Sequence, residues 1–302
     1  MKPALKPTQH KLDRRALFAS GAAAALLAAT GVSASAQPAS GGRFRAALSG
    51  ARRNDTFDAR QPMGVFMQVA MVGAVFDTLT EIAADGTLRG ELATGWSGSS
   101  DAQSWVFELR KGVTFHNGHA FGARDVVASL SLHRDTAFAS IRQIVLLGEH
   151  RVQIDLNAPN PHFPLLLSDP RFVMYPEQAM ERAQDEGIGT GLYRVSRFNP
   201  GQQFIGTRVE RHYKDGTAGW FDEIELVSVP SAQVRAQALS EHLVDAADLD
   251  ASFDELEQSG IVVLPGVKDA AYAVWRDVAL PVRLGRHGPL DNLRAAERWW
   301  MA

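Results

Sequence analysis

Trp105-Val106-Phe107-Glu108-Leu109-Arg110-Lys111-Gly112-Val113-Thr114-Phe115-His116-Asn117-Gly118, closely followed by Phe121-Gly122-Ala123-Arg124-Asp125-Val126-Val127-Ala128-Ser129-Leu130, reads as strand, two turns and helix. Trp105, Phe107 and Leu109 alternate with Val106, Glu108 and Arg110, the period of a half-exposed strand over Ser104 to Leu109. Lys111-Gly112 ends that strand. His116-Asn117-Gly118-His119 makes a second turn, because Asn-Gly readily takes up positive φ. From Ala123 to His133 the period becomes helical, with Val126, Val127 and Leu130 inward. Trp96, Trp105, Phe107, Val113 and Phe115 are large apolar groups at strand spacing. Burying each is worth about 1.5–3 kcal/mol, so this run is mostly scaffold.

Working outward, Phe44 to Leu48 predicts a first short strand. Pro62 opens a helical stretch in which Val65, Phe66, Val69, Val72, Phe76 and Leu79 recur at spacings of three and four, one buried face. Thr78 to Ile82 reads as a strand before the turn Asp85-Gly86, and Val145 to Leu147 with Val152 to Leu156 as a hairpin around Gly148-Glu149-His150. Glu177 to Glu186 is a short charged helix. Strands are expected at Tyr193 to Phe198, Phe204 to Val209, Glu223 to Val229 and Ile261 to Leu264, with a turn at Lys214 to Gly219 and a helix at Ala232 to Glu241. Strands outnumber helices and the two mix without strict alternation, which points to an α+β or mixed α/β fold. No internal repeat is visible.

The chain has 302 residues, 45% of them hydrophobic and 22% charged, which is the balance of a globular protein with one or two lobes. Lys2, Lys6, Lys11, Arg14 and Arg15 precede an apolar stretch from Ala16 to Val32 and then Ala34-Ser35-Ala36, the order of an export signal with its cleavage site. Arg14-Arg15 before Leu17-Phe18 resembles the twin-arginine motif. Cleavage after Ala36 would leave 266 residues with 26 basic and 33 acidic side chains, a formal −7. That charge argues against a nucleic-acid partner, which needs a surplus of Lys and Arg. A periplasmic location is expected. Residues 37–43 then form a linker, 44–265 a lobe and 266–302 a C-terminal segment.

The absence of cysteine excludes disulfides, thiolate metal sites and a cysteine nucleophile. His116 and His119 flank a turn and no HExxH helix holds them, so they are expected as solvated turn residues and no metal or other cofactor is called for. No GxSxG or SxxK motif is present, and no enzymatic activity is expected. Asp222-Glu223 and Asp245, Asp248 and Asp250 read as solvated surface acids. Gly187-Ile188-Gly189-Thr190-Gly191 lacks the phosphate-loop spacings. Its alternating glycines let the backbone approach something closely, either a ligand or a neighbouring strand.

Four segments in order, Gly90 to Trp96, Trp105 to Leu130, Gly189 to Tyr193, and Val229-Pro230-Ser231 with Arg235 and Leu239 to Asp245, carry a resemblance. Together they resemble the extracellular solute-binding proteins of family 5, the peptide- and nickel-type receptors of ABC importers. The resemblance covers roughly Phe44 to Leu264 and implies the first lobe of a two-lobed receptor. Only 38 residues follow Leu264, too few for a second lobe of the family's kind, and Arg294 to Ala302 looks like the way some members end. The acidic anchor for a peptide's amino group would belong to that second lobe. The resemblance implies a small solute, of peptide type, and permease subunits in the inner membrane as partners.

Within one lobe, the candidate ligand-binding residues are Gln61, Met63 and Gly64 at the start of the long helix, with Gly189, Thr190 and Gly191. Met63 suits a permissive wall because a thioether adapts to varied shapes. Trp275, Trp299 and Trp300 are candidates to cover the exposed lobe face or to pair with a partner, including a second copy. The alternative is a docking protein derived from such a lobe, or a deletion product without function.

Overall fold

Ser104–Leu109 is a strand with Phe107 and Leu109 buried and Glu108 exposed, as its alternation predicts. The computed structural model describes residues 40–83, 87–133, 140–250, 261–265 and 270–275. The expected export segment 1–36, residues 37–39, the expected Asp85-Gly86 turn and Trp299-Trp300 lie outside the described residues.

Thirteen strands are present among the described residues: β1 Arg43–Leu48, β2 Thr80–Ile82, β3 Leu88–Gly90, β4 Ala93–Gly98, β5 Ser104–Leu109, β6 Ile141–Gly148, β7 Arg151–Leu156, β8 Tyr193–Asn199, β9 Gln203–Arg208, β10 Glu223–Ser228, β11 Ala246–Asp250, β12 Ile261–Pro265 and β13 Ala270–Trp275. The α-helices are α1 Val65–Gln68, α2 Ala123–Ser131, α3 Phe163–Leu166, α4 Met180–Glu186 and α5 Ala232–Ser240. Seven strands form one sheet in the order β12-β13-β11-β1-β10-β9-β8. In it β1 runs parallel to β10 and β11, and the remaining pairs are antiparallel. β4-β5-β7-β6 make an antiparallel four-stranded sheet, and β2-β3 a separate hairpin. The architecture is mixed α/β, with several sheets and few helices.

The helix expected from Pro62 starts later and ends sooner. α1 begins at Val65 behind Gly64 and continues as a π-helix, Val69–Val75, closed by the Phe76 N–H donating to the Met71 carbonyl at 2.8 Å. Phe76 is already extended, and Pro62 and Leu79 lie outside the helix. All seven residues of the π stretch are buried, so the segment is a core rod rather than a helix with one buried face. Its sequence, Val-Ala-Met-Val-Gly-Ala-Val, has no polar residue to turn toward water.

Two strands escape the sequence reading in this sheet, β11 and β13. Asp248 on β11 is buried rather than solvated, and it accepts the Ser49 N–H at 2.7 Å beside the Arg235 guanidinium. Trp275, expected on the exposed lobe face, is half-buried. It ends β13, where its Nε1–H donates to the Leu239 carbonyl (2.9 Å) and its ring stacks on His242 at 3.8 Å.

Candidate functional site

A groove of about 680 Å³ opens between the segment preceding α1 and the segment from α3 to Phe172. One wall carries Gln61, Met63 and Gln68, the other Leu165 and Leu166, with Ile82 of β2 between them and Arg60 and Arg171 also lining it. Tyr175 holds the first wall in place. Its hydroxyl donates to the Phe57 carbonyl (2.5 Å) and accepts the Ala59 N–H (2.9 Å), while burial pushes the phenol far above its ordinary value and keeps it protonated. Phe57 also packs against Phe198, ring centroids 4.6 Å apart and tilted by 47°.

The second wall is a short helix anchored from below. Phe163 and Leu167 are fully buried, whereas Leu165 and Leu166 are each 42% exposed and face outward. Thr80 Oγ1 donates to the Pro164 carbonyl at 2.7 Å and ties this wall to β2. Two exposed leucines side by side on a buried base give this wall an apolar surface.

The arginines are oriented by the same local device. Asp58 accepts from Arg60 Nε (2.9 Å) and Nη2 (2.8 Å), and Asp169 accepts from Arg171 Nε (2.9 Å) and Nη2 (2.7 Å). Burial works against both carboxylates, yet the adjoining guanidiniums outweigh it and hold both below the usual range. Each aspartate engages the Nε–Nη2 edge of its guanidinium, and Nη1 lies on the other edge.

Gln61 and Met63 therefore lie together on the groove. Gly64 supports that wall from behind, since a Cβ there would overlap the Gly50 carbonyl oxygen. Gly189, Thr190 and Gly191 sit elsewhere. A Cβ on Gly189 would overlap the Val75 carbonyl oxygen, and on Gly191 that of Ala74. The close approach that these glycines permit is thus to the end of the π-helix. Thr190 is 1% exposed and its hydroxyl donates to Asp77 at 3.0 Å.

His116 is not a solvated turn residue either. Its ring lies on the Gly189–Gly191 segment, Nε2 at 2.9 Å from the Gly191 carbonyl oxygen, whereas His119 is exposed. Sequence reading also missed a buried ionic cluster. Lys214 Nζ meets Asp77 (3.2 Å), Glu81 (3.5 Å) and Glu91, and Arg89 Nε donates to Glu81 at 2.7 Å. Burial opposes ionisation of Asp77, but Lys214 and His212 outweigh it and hold the carboxyl well below its ordinary range. Lys214 lies in a turn that looks solvated by composition, and no local pattern marks it as buried. Among the described residues no group of His, Asp and Glu is arranged to hold a metal ion, and no helix is long and apolar enough to cross a membrane.

Several proteins share this architecture. The periplasmic binding protein AgaA of A. tumefaciens R10, in complex with agropinic acid, superposes with a TM-score of 0.67 at 24% identity, over 74% of this chain and 48% of AgaA. DppA of Helicobacter pylori, in complex with the peptide STSA, gives 0.65 at 22% identity, over 74% and 50%. These likenesses are of fold, and the chain covers about half of each structure. The HTH-type transcriptional regulator SgrR of Escherichia coli (strain K12) is 31% identical over 158 residues, 51% of this chain and 26% of SgrR. YhjP of Bacillus subtilis (strain 168) is 27% identical over 184 residues, 57% of this chain and 30% of YhjP. The chain thus spans less than a third of the length of either relative. The family model described as bacterial extracellular solute-binding proteins, family 5 Middle, matches residues 87–294, well over half of the sequence. With the mixed α/β lobe and its groove, that match places the chain among the bacterial extracellular solute-binding proteins of family 5.

Proposed function

We propose that this chain is the solute-binding component of an ABC importer of peptide type. It is exported to the periplasm with cleavage near Ala36, catches its ligand without chemical change and delivers it to permease subunits in the inner membrane. The groove between Gln61 and Arg171 carries this reading, because its volume of about 680 Å³ suits a small molecule and its lining matches a short peptide. Met63, Ile82, Leu165 and Leu166 offer apolar contact to side chains, Gln61 and Gln68 offer amide groups to the peptide backbone, and Arg60 and Arg171 offer donors to a terminal carboxylate. Gly64 and the Gly189–Gly191 segment take part by placing the helix that bears this wall. Residues 44–265 form the binding lobe.

The test is thermal unfolding with and without a mixed pool of di- to pentapeptides. A ligand that binds only the native state raises the melting temperature by mass action. An upward shift supports the reading, and fractionating the pool names the ligand. A cooperative transition that no peptide moves sinks it in favour of a docking role. One observation favours that second reading: Leu146 and Leu147 are 47% and 44% exposed on the edge strand β6, beside a cleft of about 830 Å³.

A further inference from the structure

Gly189 to Gly191 are held by two imidazoles. His116 Nε2 lies 2.9 Å from the Gly191 carbonyl oxygen, its Nδ1 accepts the Gly189 N–H (3.4 Å), and its backbone N–H donates to the Gly189 carbonyl (2.8 Å). His212 Nε2 lies 2.8 Å from the Thr190 carbonyl oxygen, and its Nδ1 accepts the Lys214 N–H at 3.1 Å. A carbonyl only accepts and an N–H only donates, so this network assigns the proton of each ring to Nε2 and a lone pair to Nδ1. An imidazolium has no lone pair for the Gly189 N–H, so the His116 ring is neutral in this arrangement. The same segment is bonded to the helix end, where the Gly191 N–H donates to the Val75 carbonyl (2.9 Å) and Thr190 Oγ1 to Asp77 (3.0 Å).

We propose that His116 is a pH-sensitive latch. Neutral, it pins Gly189–Gly191 against the end of the Val69–Val75 π-helix; protonated on Nδ1, it loses the Gly189 N–H and releases the segment. The groove stands at the other end of the same rod, through Gln68 and Met63, but the latch does not depend on what the groove binds.

The charged groups around the ring set the direction. Arg194 on β8 disfavours a proton there and Asp77 favours it, while Arg208, Glu210, Arg211 and His212 line the adjoining cleft and His119 lies exposed on the same turn. Burial is the largest influence and pushes the imidazole below its ordinary 6.5, with Arg194 adding to it and the Gly191 and Gly187 carbonyls and Asp77 opposing. The unfolded chain therefore takes up this proton first as pH falls, and the latched state loses stability from about pH 6.5 downward.

The experiment follows the ring nitrogens of His116 and the amides of Gly189, Thr190 and Gly191 by NMR in the full chain, from about pH 7.5 to about pH 5. At the upper limit the ring carries its proton on Nε2 alone. On acidification the three amides shift with the midpoint of the ring, below 6.5. In His116→Gln, which keeps a donor for Gly191 but cannot titrate, the amides hold their positions. The melting temperature of the unmutated chain falls about 2–4 °C further than that of the variant across the same range. A ring protonated on Nδ1 at the upper limit, or one that titrates while the three amides stay still, overturns the latch. Both readouts come from the unmutated chain, so they decide the matter even if the variant fails to fold.

Discussion

Lys214 Nζ lies 3.2 Å from Asp77 Oδ1, a contact between residues 137 positions apart that stands at the centre of three buried carboxylates. Asp77 follows the π-helix, Glu81 belongs to β2 and Glu91 follows β3, so one ammonium ties the β2–β3 hairpin to the turn between β9 and β10.

Lys214→Met removes that ammonium and leaves the carboxylates facing one another, with Arg89 on Glu81 and His212 beside Asp77. Breaking a buried pair from one side costs about 3–5 kcal/mol, and urea unfolding monitored by circular dichroism should register a loss of that order. A loss below about 1 kcal/mol, the level of a surface pair, would contradict the cluster.

The acid limb of stability should change in the same variant. In the native protein the Asp77 carboxyl is held well below its ordinary 3.8, so the unfolded chain binds its proton first as pH falls. The stabilisation from this group is complete above about pH 4 and is lost as pH drops through the depressed native value. In Lys214→Met the largest source of that contribution is gone, so the gap between the two melting temperatures should narrow below about pH 4.

Gly191→Ala should destabilise the protein by about 1–3 kcal/mol, because a Cβ would overlap the Ala74 carbonyl oxygen in a packed interior. Gly95→Ala is the matched control. A Cβ there meets nothing within 4 Å, and its effect should stay within about 0.5 kcal/mol. Equal effects in thermal melts would refute the close approach.

Asp248→Ala strips the Ser49 N–H of its acceptor and leaves the Arg235 guanidinium, 3% exposed as a residue, without its carboxylate. A loss of about 3–5 kcal/mol is expected in denaturant melts. Asp222→Ala touches an exposed bond to the Gly42 N–H and should cost less than about 1 kcal/mol.

Leu166→Asp bears on the groove. The side chain is 42% exposed, so the fold should lose little, whereas a carboxylate on the apolar wall should abolish the rise in melting temperature caused by a bound peptide. Isothermal titration with the peptide that stabilises the unmutated chain checks this, and an unchanged affinity would remove Leu166 from the site.

Much of the fold is legible because it is written in local periods. The alternation of Trp105, Phe107 and Leu109 gives β5, and the apolar spacing from Val126 to Leu130 gives α2. The Val69–Val75 stretch shows where period fails: an all-apolar segment cannot say whether one face is buried or all of it, and only its enclosure between other elements does. Of the candidate site residues, Gln61 and Met63 are brought onto one groove, while the glycines at 189 and 191 fit two partners equally well by composition. Leu165, Leu166 and the two Asp-x-Arg pairs carried no signal of their own, since exposed leucines and surface ion pairs are ordinary in sequence.

By itself, then, the sequence determined most of the elements, the absence of thiol chemistry and the excess of acids, and its motifs carried the resemblance to the family. The elements and the charge follow from residue type and from spacing along the chain. The tertiary structure alone decided that the Gly189–Gly191 backbone meets a helix and two imidazoles, and that Lys214 and Asp248 are interior charges. It alone brought Leu165 across from Met63. Such facts depend on contacts between residues far apart in sequence, where position in space sets burial and charge and no local period reports it.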